Sequence, residues 1–147
     1  MRIGIIDADL IGRDKHRFPN LACEKISGYW KENGAEVLLL KDYNWPDGFD
    51  HIYISKVFTD TVVPSWVENL KGHENDEDQI VHIGGTGFYF DKAPNLPDEI
   101  EHNMPDYSLY NEWIADEVSR ARAEAELSGR VFNESRFMVQ FKEYTDY

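Results

Sequence analysis

The sequence predicts an α/β protein built on a parallel sheet, and three observations carry that expectation. Short apolar runs recur at Arg2–Asp7, Ala35–Leu40, Asp50–Val57 and Gln79–Ile83, as strands buried on both faces do. Stretches of helical periodicity separate the first run from the second and the third from the fourth, the alternation of crossover connections. The first, third and fourth runs each open into a polar or glycine-rich loop, and a parallel sheet collects such loops on one rim. The implied architecture has three layers and is Rossmann or flavodoxin-like, with a carboxy-terminal proline-rich strap, helix and tail.

Each element has its own reason. Arg2 to Asp7 is isoleucine-rich and ends on acids. Asp9 to Asn20 reads as a polar loop with Gly12 and Pro19, the proline suiting the first turn of the next helix. From Leu21, the residues Ala22, Ile26, Tyr29 and Trp30 recur at helical spacing, and Gly34 stops the helix. Ala35 to Leu40 is the second strand, and Lys41 to Asp50 is a loop carrying Tyr43-Asn44-Trp45. Asp50 to Val57 is the third strand. Pro64 to Leu70 is a short helix with Trp66, Val67 and Leu70 on one face. Gln79 to Ile83 runs straight into Gly84-Gly85-Thr86-Gly87.

After Phe90 the character changes. Pro94, Pro97 and Pro105 punctuate an extended strap over Ala93 to Asp106. Asn111 to Gly129 reads as a helix with Ile114, Val118, Ala121 and Ala125 in a thin stripe and Asp116 four residues before Arg120. Val131 to Tyr147 mixes aromatics with charges as a tail. The expected division is a domain over 1–92 and a connector, helix and tail over 93–147.

Composition narrows the function classes. The 147 residues are 41% hydrophobic and 14% aromatic, ordinary for a folded chain. A formal charge of −13 argues against nucleic-acid and anionic-membrane surfaces. Part of it lies in one loop holding Glu74, Asp76, Glu77 and Asp78. The single cysteine, Cys23, permits neither an internal disulfide nor a cysteine-held iron–sulfur cluster. It reads as a small buried hydrophobe in a reducing, cytoplasmic setting. No run of ~18 apolar residues could cross a membrane. No small-residue cleavage site follows the first strand, so Met1 to Ile6 is not read as a secretion signal.

Three stations could carry chemistry, and none is catalytic on its face. Asp14 stands two residues before His16, so its carboxylate could bond one ring nitrogen and raise the basicity of the other, as a metal-ligating histidine needs. A plain loop histidine is the alternative. Ser55, with Thr59 nearby, stands at the end of the third strand and could bond a ligand amide, although small polar residues are common at strand ends. Gly84, Gly85, Thr86 and Gly87 permit positive φ and close backbone approach to a flat ligand. That run is not a phosphate loop, lacking the Gly-Lys-Ser/Thr lysine. Asp7 and Asp9 could hold magnesium in a receiver-like domain, but no phosphate-cradling loop accompanies them. His51, His73, His82 and His102 share no metal-ligand spacing.

The runs Phe18-Pro19-Asn20-Leu21-Ala22, Lys25-Ile26-Ser27, Ser55-Lys56-Val57-Phe58-Thr59, Gly84-Gly85-Thr86-Gly87, Leu96 to Glu101 and Pro105 to Tyr110 resemble, in order, the amino-terminal region of radical S-adenosylmethionine (radical SAM) proteins that carry a cobalamin-binding domain. The resemblance covers about residues 1–113. It implies a cobalamin-binding-like accessory domain, with the catalytic barrel and its cysteine-bound cluster lying beyond this chain as a partner in cis or in trans. It implies cobalamin as the cofactor, flanked by Asp14, His16, Ser55, Thr59, Gly84, Gly85, Thr86 and Gly87, with His16 or the base-off face meeting cobalt. The Asp-x-His-x-x-Gly motif of such ligands has Pro19 at its glycine position here. The competing expectation is a stand-alone interaction module of the same fold without cofactor, self-associating through residues 111–147.

Overall fold

The computed structural model describes residues 1–13, 18–71, 80–89 and 96–145. The expected features at Asp14, His16, His73, the acidic loop from Glu74 to Asp78, and Ala93 to Asn95 lie outside them. Among the described residues the strands are β1 (Arg2–Asp7), β2 (Glu36–Leu39), β3 (His51–Ser55) and β4 (Val81–Gly84). They form one all-parallel sheet in the order β2-β1-β3-β4. The α/β expectation therefore holds: β1 keeps its expected bounds, β2 and β3 are shorter at both ends, and β4 starts two residues later and takes in Gly84. The chain leaves β1 toward β2 and then crosses back to β3, so the direction reverses between the carboxyl ends of β1 and β3. Open parallel sheets bind ligands at such a switch point.

The first helix is a departure from the sequence reading. Ala8–Gly12 forms α1, where a loop was expected, because the Asp7 carboxylate accepts from Leu10 N at 3.2 Å and caps its start. The main helix α2 spans Leu21–Glu32. Asn20 is its N-cap, with the side-chain oxygen accepting from Cys23 N at 3.0 Å, so Pro19 stands before the cap rather than inside the first turn. Gly34 at φ 82° ends it. Gly34 N bonds Lys31 O at 3.1 Å and Ala35 N bonds Trp30 O at 3.0 Å, the double closure of a Schellman stop.

Side chains alternate across the strands. Ile6, Ile52, Ile54 and Ile83 bury one face of the sheet with Phe49, Val67 and Phe88. On that side lie α3 (Ser65–Glu68) and α4 (Thr86–Tyr89). The other face meets α2, with Ile3, Ile5, Cys23 and Ile26 buried. Each fully buried isoleucine contributes roughly 1.5–3 kcal/mol. The glycine run, expected as loop, is divided: Gly84 ends β4, Gly85 makes the bend, and Thr86 and Gly87 open α4. In the expected strap, Asp98–Glu101 forms α5, where Pro97 pre-sets the entry and the first turn is acidic.

Contacts group the chain into two compact units. The first comprises the described residues of Met1–His16 and Asn20–Asp106; the second those of Arg17–Pro19 and Tyr107–Tyr147. In the second unit, α6 (Asn111–Leu127) buries Ile114, Val118 and Ala125. Arg120 pairs with Glu117 at 3.0 Å. The expected tail is helical: α7 (Glu134–Met138), a 3-10 turn (Val139–Phe141) and α8 (Lys142–Thr145). Aromatic packing explains the difference. Trp113 meets both Phe141 and Tyr144 at 5.4 Å, and Tyr144 OH donates to Phe18 O at 3.1 Å. No helix among the described residues is long and apolar enough to cross a membrane.

Candidate functional site

The strand register places Asp7, Ser55 and Gly84 side by side across the carboxyl ends of β1, β3 and β4. By alternation the row lies on the α2 face of the sheet. Asn20 completes it: while its oxygen caps α2, its amide nitrogen donates to Ser55 Oγ at 2.9 Å. Asp7, Asn20 and Ser55 are 1%, 6% and 6% exposed, so their polar atoms are preorganised away from bulk water. Ser55 Oγ is an acceptor in this pair, which leaves its own proton for a second acceptor. Gly84 needs no positive φ, and among the described residues a Cβ built on it would meet nothing within 4 Å. The row is thus a polar floor beside an open space.

The loop after β3 is held differently. Asp9, 1% exposed, accepts from Val57 N (2.7 Å), Phe58 N (3.3 Å) and Thr61 Oγ1 (2.7 Å). Both oxygens of this carboxylate accept from the loop, which accounts for the burial of the acid. Lys56 is buried too: its Nζ donates to Glu68 Oε1 at 3.1 Å and Thr61 O at 3.3 Å, and it lies 4.7 Å from the Phe88 ring centroid. Burial works upward on the Glu68 carboxyl, but hydrogen bonds from Lys56 and Lys71 outweigh it and hold the group below its ordinary value. Burial, then Asp7 and Asp9, push the Tyr43 hydroxyl up to about 12. Burial followed by Asp7 raises the Cys23 thiol, so Cys23 is an inert packing residue.

The expected ligand residues divide on this geometry. Ser55 and Gly84 meet at the row. Gly85, at φ +103°, joins β4 to α4 and Gly87 lies in α4, but their Cβ positions are taken by Lys56: its backbone carbonyl for both, and its Cγ, 2.6 Å away, for Gly87. The close approach these glycines permit is made by the chain's own Lys56. Thr86 Oγ1 donates to Val57 O at 2.9 Å, and Thr59 stands exposed in the turn beyond. Asp14 and His16 lie outside the described residues.

Sequence reasoning missed Asn20 as a site residue, although its place before an apolar helical run marks it as a cap. It also missed His51 and His82, 31 positions apart, whose Nδ1 and Nε2 approach to 3.0 Å. The ring centroids are 5.1 Å apart, and which nitrogen donates and which accepts follows from the tautomers. Burial and then His51 lower the His82 basicity. Trp30 stacks on His51 and donates to Tyr53 OH at 3.2 Å, covering part of this patch. Only register could reveal the pair. Among the described residues no group of three or more His, Cys, Asp or Glu could hold a metal ion. Comparisons with protein-family models, curated proteins and solved structures found no match.

Proposed function

We propose that this chain is a cobalamin-binding-like accessory domain that serves a radical SAM barrel in cis or in trans. The observation that carries this reading is the Asp7–Ser55–Gly84 row with its unfilled space over Gly84. A flat corrin needs an open rim, and its nucleotide tail needs a narrow place with a polar donor. Ser55, braced by Asn20, offers the donor, and Gly84 offers room that any side chain would take. The described residues therefore fit the tail; ligation of cobalt is assigned to His16, with Asp14 as its orienting acid. Bound there, the corrin would supply cobalt-centred group transfer to the barrel, while this chain binds and orients it. Asp9 and Lys56 hold the loop that borders the rim. On that loop Val57, Phe58 and Val62 expose apolar surface suited to the barrel's contact.

The filled positions at Gly85 and Gly87 favour a second reading, an interaction module of this fold without cofactor. Incubation with hydroxocobalamin followed by gel filtration separates the two. The accessory-domain reading expects corrin absorbance to travel with the protein, and Gly84→Leu to lose it at unchanged melting temperature. His16→Ala should shift the cobalt bands without releasing the corrin. A colourless wild-type peak, or equal retention by Gly84→Leu, contradicts it.

A further inference from the structure

The first unit contains a buried acid that the rim does not use. Glu24, in the first turn of α2, is 1% exposed, and its Oε2 has no hydrogen-bond partner among the described residues. Its neighbour is the segment Met104–Asp106, the stretch by which the chain leaves this unit. That segment crosses α2 at Gly28, where a Cβ would collide with Met104 O and lie 3.4 Å from Asp106 N. Asp106 N donates to Glu24 O at 2.8 Å. The Asp106 carboxylate accepts from Ser27 Oγ at 2.7 Å and from Lys31 Nζ at 2.6 Å. The cation at hand is thus engaged by Asp106, not by Glu24. The remaining charged and titratable neighbours are accounted for elsewhere: Lys25 pairs with Glu101 on α5 at 2.8 Å, His102 Nδ1 lies 3.0 Å from Asp98 O, and Asp7 on β1 acts, with Glu24, on the Cys23 thiol.

We propose that Glu24 is a proton-operated latch: protonated, it lets Met104–Asp106 seat against α2, and ionised, it loosens that segment. A neutral carboxyl tolerates a dry site beside Asp106. An ionised one is a second buried negative charge without a partner, and the cheapest relief is to open the seam and admit water. Opening costs the Asp106 N–Glu24 O bond and the packing at Gly28. Burial, then Asp106, lift the Glu24 carboxyl to about 7, which sets the switch near neutrality.

The test is carboxyl carbon NMR of Glu24 across about pH 5.5 to 8.5, paired with hydrogen exchange at the Asp106 amide, normalised to its intrinsic rate. The latch expects Glu24 to titrate near neutrality and Asp106 protection to fall about tenfold across the same range. Glu24→Gln should keep Asp106 protected throughout. Asp106→Asn should lower the Glu24 midpoint, a readout that survives if Glu24→Gln does not fold. Titration of Glu24 in the ordinary carboxylate range, pH-indifferent protection in the wild type, an equal fall in Glu24→Gln, or an unmoved midpoint in Asp106→Asn overturns the proposal.

Discussion

Gly84 and Gly85 are adjacent and alike in sequence, yet their surroundings predict opposite responses to one methyl group. Gly84→Ala adds a Cβ to open space at an ordinary φ, so its urea midpoint should match wild type within about 0.5 kcal/mol. Gly85→Ala puts a Cβ into Lys56 at φ +103° and should cost roughly 1–3 kcal/mol. Asp9→Ala strands two backbone N–H groups and the Thr61 hydroxyl, so a loss of about 3 kcal/mol or more is expected in the same assay. Glu24 makes stability depend on pH. Folded, it keeps its proton to about 7, against an ordinary value of 4.5; the native state therefore binds the extra proton between those values. Stability should fall as pH rises through that window and level off above it. Glu24→Gln should flatten this fall and gain roughly 1–3 kcal/mol near pH 8 by chemical denaturation. The need for glycine was legible at Gly85 from residue type; that Lys56 fills the space was not, because only the β3–β4 register brings the two together.

Helix ends were the most readable elements. Gly34 and Gly129 were expected as stops, and both have positive φ, at 82° and 69°. At the second, Arg130 N bonds Ala125 O at 2.8 Å, repeating the closure seen after α2. Short helices were the least readable: α1, α4 and α5 span five residues or fewer, too few to show a period of ~3.6. Asp7 signals α1 only through its cap, and acids at strand ends have other readings. The tail after Val131 was misjudged because its aromatics pack on Trp113 and Tyr110, contacts that no local pattern announces. Asn20 links this scale to the site, since it both starts α2 and braces Ser55. Asn20→Ala should cost about 1–3 kcal/mol by thermal or urea unfolding, more than a simple cap loss, because the Ser55 hydroxyl also loses its partner.

The parallel sheet follows from the apolar runs and the helices between them, and a common rim follows from the parallel sheet. Strand order did not follow from the sequence: two crossovers from β1 and β2 allow several arrangements, and only the observed order β2-β1-β3-β4 sets Asp7 beside Ser55 and Ser55 beside Gly84. The central claim is that this row, on the α2 face, receives the nucleotide tail of a corrin. Amide NMR shifts of the labelled chain titrated with hydroxocobalamin, and in parallel with a cobinamide lacking the tail, test it most directly. The account predicts that the intact corrin shifts Ser55, Gly84 and Asn20 together, while the tail-less form leaves these three nearly unmoved. Shifts that avoid this row, or that are the same for both corrins, would contradict it.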